Sequence, residues 1–366
     1  MEKNTKVLIV DDSVLARKLM KRIIEKDGDL EVVGTAEDAF VALEMINRLN
    51  PDVLTLDVEM PGMNGITFLS RLMKSNPLPV VMVSSLTEKN ADITLQAMEL
   101  GAVEFLTKPR VDVAVTLDGY SSELIRKIKI ASKANIVSRH AQVGLPPAAT
   151  SIKKTSFRRS LTLQDNTGDA DYPAPYDLIA IGASTGGTEA IREILRVMPA
   201  TAPAIVITQH IPEGFSEVFA RRLDSITEMS VCQVEGEEQI REGRVYIAPG
   251  NRHLSITRKG KSLFCRLTAG EPVNYHIPSV DVLFRSVARH VGKNAIGVML
   301  TGMGGDGADA LRAMRQAGAL TIAQDKQSSV VWGMPGEAVS RGAVDIVLPL
   351  GEISTKLLRA SRRLAA

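Results

Sequence analysis

The sequence predicts two α/β domains in tandem, joined by a linker, with a short hairpin inserted in the second. Three observations carry this reading. The chain has 366 residues, more than one compact core usually organises. Short apolar runs alternate with helical patterns on both sides of residues 132–175, as parallel sheets covered by helices require. Within 132–175 the alternation stops. Over 132–164 there is no acidic residue against six basic ones, and Pro146, Pro147, Pro173 and Pro175 punctuate the stretch. Such a segment buries too little apolar surface to offset its ordering entropy. The expected division is therefore a domain over 1–131, a linker over 132–175 and a domain over 176–366.

In the first domain, residues 6–10, 31–34, 53–57, 79–83 and 103–107 read as buried strands. Residues 14–25 and 39–47 carry apolar side chains three and four apart, as amphipathic helices do. Five strands each followed by a helix predict a parallel sheet. After the linker, 178–183, 204–209, 295–301, 320–324 and 344–348 resume the alternation, predicting a doubly wound α/β sheet. The stretch 244–267 interrupts it as strands and a hairpin, with Lys259-Gly260-Lys261 as the turn.

Composition excludes several classes. Hydrophobic residues at 45% and charged residues at 23% are ordinary for a globular chain. No apolar run approaches the ~18 residues that cross a bilayer, and the N-terminus lacks a signal-peptide pattern, so a cytoplasmic protein without membrane insertion is expected. Cys232 and Cys265 are too few for a disulfide framework or a cysteine zinc cluster. A net charge of +2 gives no electrostatic case for nucleic-acid binding.

Asp11 and Asp12 end the first strand, Asp57 the third, Ser84 the fourth and Lys108 the fifth. A parallel sheet delivers such residues to its carboxyl edge. Converging carboxylates repel one another unless a cation neutralises them, and an all-oxygen set favours a hard ion such as Mg²⁺. Singly, Asp12 or Asp57 could be only a helix cap; together, in this order, they form a phosphoryl-transfer set. The first ~130 residues resemble the receiver domain of two-component response regulators, a flavodoxin-like fold. The matching segments are Asp11-Asp12, Asp57 followed by Met60-Pro61-Gly62-Met63-Asn64-Gly65, Ser84, and Thr107-Lys108-Pro109. The resemblance implies that Asp57 is the phospho-acceptor. It also implies that Asp11, Asp12, Asp57 and the Glu59 carbonyl place Mg²⁺, and that Ser84, Phe105 and Lys108 form the switch.

In the second domain, Gly182-Ala183-Ser184-Thr185-Gly186-Gly187 lies between a strand and a helix, so glycines on both sides leave the Ser184 hydroxyl exposed on a tight turn. Bland βα turns and phosphate cradles use the same residues. A serine nucleophile needs a base, and His210 directly follows a buried strand and reaches the same sheet edge, unlike His140, His253, His276 and His290. Asp306, in Thr301-Gly302-Met303-Gly304-Gly305-Asp306-Gly307, arrives there from a third strand, able to orient His210. The same loop fits a dinucleotide fingerprint, Gly302-x-Gly304-x-x-Gly307 with Asp325 beyond it. That alternative, a receiver controlling a nucleotide- or DNA-binding output, leaves Ser184 and His210 unexplained. Hydrolysis uses all three strand ends.

The order Ser…His…Asp departs from the Ser…Asp…His order of α/β-hydrolases. It resembles the chemotaxis protein-glutamate methylesterase (CheB) family. The resemblance spans the chain and rests on Ile181–187, Gln209-His210-Ile211-Pro212, the Met299-to-Gly307 motif, Ile247-Ala248-Pro249-Gly250-Asn251 and Trp332-Gly333-Met334-Pro335. It implies hydrolysis of glutamate methyl esters, and deamidation of certain glutamines, on chemoreceptor cytoplasmic domains. Ser184, His210 and Asp306 would be catalytic, with Thr185 and Met303 in the oxyanion region. Also implied are a chemotaxis histidine kinase as phosphodonor, methyl-accepting chemoreceptors as substrate, Mg²⁺ for the receiver and no cofactor for the esterase. A monomer is expected.

Overall fold

The computed structural model describes residues 4–85, 88–108, 117–136 and 176–361. Most of the predicted linker, 137–175, lies outside them, as does Pro109 of the receiver motif. The first domain runs β1 (Thr5–Val10), α1 (Val14–Ile24), β2 (Leu30–Ala36), α2 (Ala39–Leu49), β3 (Val53–Asp57), α3 (Gly65–Ser75), β4 (Val80–Ser84), α4 (Glu88–Glu99), β5 (Glu104–Thr107) and α5 (Leu117–Ser132). Its strands form one parallel sheet in the order β2-β1-β3-β4-β5. β3 and β4 are buried on both faces, which is why they read as unbroken apolar runs. Side-chain caps start the helices that follow: Ser13 accepts from the Ala16 amide, Asp38 from Phe40 and Val41, and Asn64 from Thr67.

The second domain begins β6 (Leu178–Ala183), α6 (Gly187–Leu195), β7 (Ala204–Gln209), α7 (Ser216–Ile226), β8 (Ser230–Gln233), β9 (Glu238–Gln239), β10 (Arg244–Ile247), β11 (His253–Lys259) and β12 (Ser262–Thr268). It continues with α8 (Val280–His290), β13 (Ala295–Met299), α9 (Ala308–Gln316), β14 (Leu320–Gln324), α10 (Met334–Ser340), β15 (Ile346–Leu348) and α11 (Leu350–Ser361). Seven strands make a parallel sheet in the order β15-β14-β13-β6-β7-β10-β8, and β11-β12-β9 make a small antiparallel sheet. The stretch expected as strands and a hairpin divides between the two sheets. Val245, Tyr246 and Ile247 are fully buried and pair in parallel with β7 and β8, whereas β11 and β12 form the hairpin, turning through Gly260 and Lys261. β8 was not foreseen, since Val231 is its one buried residue and it lies at the sheet edge.

Strand order reverses between β1 and β3 in the first sheet and between β13 and β6 in the second. Sites in open α/β sheets form at the carboxyl ends beside such a reversal. The domains touch through β5, α4 and α5. Phe105 stacks on Phe215 at 4.7 Å between ring centroids, and Arg222 binds Asp92 at 2.7 Å and Glu99 at 2.6 Å. Past α5, the Asn135 amide donates to the Val330 carbonyl. Among the described residues no helix is long and apolar enough to cross a membrane.

Candidate functional site

Ser184 sits where β6 turns into α6. Its amide donates to the Thr301 carbonyl (3.0 Å), and its carbonyl accepts from the Gly187 amide (2.7 Å) and from Gln209 Nε2 (2.9 Å). Gly186 takes φ +76°, and a Cβ there would fall 2.5 Å from Val330. A Cβ on Gly302 would come within 2.8 Å of the Ser184 Cβ. The glycines therefore let the two loops close around a half-buried serine.

His210 is brought alongside by the β6–β7 pairing, which ends at Ala183 and Gln209, and its amide donates to the Ala183 carbonyl at 3.1 Å. The His210 side chain is 8% exposed, and its Nε2 lies 2.9 Å from Asp306 Oδ2. Asp306 also accepts from Asn274 Nδ2 (2.8 Å), Ser279 Oγ (2.7 Å) and the Val280 amide (2.7 Å). Burial alone would raise the Asp306 carboxyl, but the bonds from His210, Asn274 and Ser279 outweigh it and hold it below the usual range. An ionised carboxylate only accepts, so the proton of neutral His210 resides on Nε2. Nδ1, buried and without a hydrogen-bond partner among the described residues, is left as the basic nitrogen.

Of the side chains around this pair, Thr185 and Met303 were expected near the oxyanion and His276 was not. His276 stacks flat on His210, 3.7 Å between centroids and 11° between planes. Burial and the adjacent His210 push the His276 imidazole well below its usual value, so it is neutral there. Thr185, the residue after the serine, is buried and donates its hydroxyl to the Glu104 carboxylate of the receiver's β5. Met303 is 40% exposed and, with Arg126 and Lys133, borders a cleft of about 540 Å³ against α5.

The residues of the dinucleotide pattern make local contacts within the fold. The Gly302 carbonyl accepts from the Gly333 and Met334 amides, and Asp325 accepts from the Ser328 amide and hydroxyl in its own turn.

At the receiver's sheet edge, Asp11, Asp12 and Asp57 each offer a carboxylate oxygen within 4.8 Å of the others. Lys108 Nζ bridges Asp57 (2.7 Å) and Asp11 (2.8 Å). Burial pushes Asp57 up to about 6 despite Lys108, and Asp11 adds to the rise. One lysine thus undercompensates three carboxylates, and the all-oxygen donors suit a hard divalent cation. Glu59 places its amide 3.4 Å from Asp57 Oδ1. The Ser84 hydroxyl donates to the Ser85 carbonyl (3.2 Å). Phe105 is buried in the domain interface, with Lys127 Nζ 5.0 Å from its ring.

The chain matches the CheB methylesterase family over residues 179–357 and the response regulator receiver domain over 7–116. It is 51% identical to the protein-glutamate methylesterase/protein-glutamine glutaminase of Hydrogenovibrio crunogenus, over 96% of this chain and 98% of that protein. Proteins of the same description from Xanthomonas oryzae pv. oryzae and Geobacter metallireducens are each 50% identical, over 99% and 96% of this chain and 98% and 94% of theirs. This chain belongs to the CheB family of protein-glutamate methylesterases/protein-glutamine glutaminases, with a receiver domain preceding the methylesterase domain.

Proposed function

We propose that Ser184, His210 and Asp306 are the nucleophile, base and orienting carboxylate of this protein-glutamate methylesterase/protein-glutamine glutaminase. Phosphorylation at Asp57 would relieve the receiver's hold on them. The observation that carries the assignment is His210, tied to Asp306 through Nε2 with a buried Nδ1 left as acceptor, while its backbone amide is held to Ala183 at the start of the serine turn. His210 Nδ1 takes the Ser184 proton as Oγ adds to the side-chain carbonyl of a methylated glutamate. Amides at Thr185 and in the Met303 loop stabilise the oxyanion. The tetrahedral adduct expels its methoxy group, which leaves as methanol with the proton from Nδ1; a glutamine loses ammonia in the same step. Water then adds to the acyl-serine, giving its proton to Nδ1, and the glutamate leaves as Ser184 is reprotonated.

In the receiver, Asp11, Asp12, Asp57 and the Glu59 carbonyl would hold Mg²⁺, which supplies charge neutralisation for phosphoryl transfer to Asp57. Lys108 balances the added charge, and Ser84 and Phe105 are the groups that respond. Phe105 lies against Phe215, and its neighbour Glu104 binds Thr185. A change at β5 therefore reaches the residue after the nucleophile. The phosphodonor is a chemotaxis histidine kinase, and the substrates are methyl-accepting chemoreceptors at their cytoplasmic domains. The functional units are taken as 1–131, 132–175 and 176–366.

Methanol release from methylated receptor membranes tests this. It should occur without phosphodonor, rise with a small-molecule phosphodonor plus Mg²⁺, and return to the basal rate when the metal is chelated. Absence of methanol under all three conditions would refute the assignment.

A further inference from the structure

Tyr275 is the most exposed large apolar side chain in the described structure, at 97%. It occupies the tip of a two-residue turn in which the Val273 and His276 amides exchange hydrogen bonds at 3.1 and 3.0 Å. Asn274 has φ +52° and Tyr275 φ +67°. Two positive φ values in succession define the tight turn in which asparagine followed by glycine is preferred. Asn274 suits the first position, and its side chain turns inward to Asp306. A bulky aromatic at the second position is costly, since its Cβ crowds the backbone there. The turn's inward tasks, Asn274 on Asp306 and His276 on His210, do not use Tyr275. A strained residue that contributes nothing inward is explained by what it meets outside.

Resting on the triad assigned above, we infer that Tyr275 is a substrate-contact residue that packs on the receptor segment carrying the methylated glutamate. A glutamate side chain is short, so the protein surface around a bound ester must come down on the rim of the Ser184–His210 site. Tyr275 stands on that rim, one residue from the imidazole that covers His210. An aromatic ring offers large apolar area at small entropic cost, which is why tyrosine recurs at contact centres. Met303, three residues from Asp306, adds a second exposed apolar group on the segment that bears Asp306, but it borders the cleft against α5. Tyr275 remains open with the receiver in place.

The test compares full-length parent, Tyr275→Gly and Tyr275→Phe on methylated receptor membranes and on a small soluble glutamate γ-methyl ester. Glycine relieves the turn, so Tyr275→Gly should keep or raise Tm by up to ~3 °C. Its KM on receptors should rise about tenfold, equivalent to ~1.4 kcal/mol, with kcat and the small-ester rate within twofold of the parent. Tyr275→Phe should stay near the parent on both substrates. An unchanged receptor KM in Tyr275→Gly overturns the inference. So does a parallel loss on the small ester, which would mean that the turn acts only by placing Asn274 and His276. A parent that hydrolyses neither substrate would instead refute the assigned function.

Discussion

Replacing Asp306 by asparagine changes one oxygen and should damage both stability and chemistry. Asp306 Oδ2 accepts from His210 Nε2 and the Val280 amide, and Oδ1 from Asn274 and Ser279. Whichever oxygen becomes an amino group then faces at least two donors, the Asp281 amide at 3.4 Å being a third on Oδ1. Charge-assisted bonds contribute ~1.5–3 kcal/mol each, so losing two costs about 3–6 kcal/mol. For a domain of this size that lowers Tm by roughly 6–20 °C. If the amino group faces His210, Nε2 must accept, the ring proton moves to Nδ1, and the base is lost. A fall in kcat of ~10³–10⁴ follows. Calorimetry and methanol release read the two effects. The pH dependence adds a signature. The folded-state carboxyl is held below its unfolded value, so its stabilisation is complete above the unfolded value near 4 and lost as pH falls through the folded one. The Tm gap between parent and variant should be constant above pH ~5 and shrink below pH ~4. A folded variant with kcat within tenfold of the parent and no Tm gap would refute the reasoning.

Arg222→Met should loosen the domain contact, because Arg222 reaches two receiver carboxylates from an environment still 27% exposed. Partly exposed pairs contribute ~0.5–1 kcal/mol each, so losing both should raise the unphosphorylated rate on a small ester by up to about five- to thirtyfold, and added salt should mimic this in the parent; equal rates would assign the closed state to Phe105–Phe215 packing. Asp57→Ala should keep the basal rate within a few-fold of the parent and abolish the response to phosphodonor, and a retained response would move the phosphorylation site elsewhere.

The strand ends were legible because buried parallel strands are continuous apolar runs, and the polar residue that stops each run marks the carboxyl edge. That logic located Asp11, Asp57, Ser84, Ser184 and His210 from spacing alone. The strand β8 escaped it, and β10, read as a strand, was not assigned to the parallel sheet. β10 precedes a true hairpin without a helix between them, and β8 buries only Val231. The supports of Asp306 also escaped, since Asn274 comes from a turn and Ser279 from the start of α8, which only the folded chain carries to the β13 end. The Met303 side chain borders the cleft against α5, so any part of this loop in the oxyanion region falls to its backbone amides. The domain contact had no sequence signature, because Phe105–Phe215 and Glu104–Thr185 are tertiary pairs between segments 81 or more residues apart.

The central claim is that Ser184 is the nucleophile, and the most direct measurement is kcat for methanol release by full-length Ser184→Ala, with Tm and Asp57 phosphorylation as controls for folding. A triad nucleophile supplies ~10⁴–10⁶ in kcat. The account predicts a loss of that order with unchanged Tm and unchanged phosphorylation, and a variant that keeps more than about a tenth of the parent rate would contradict it.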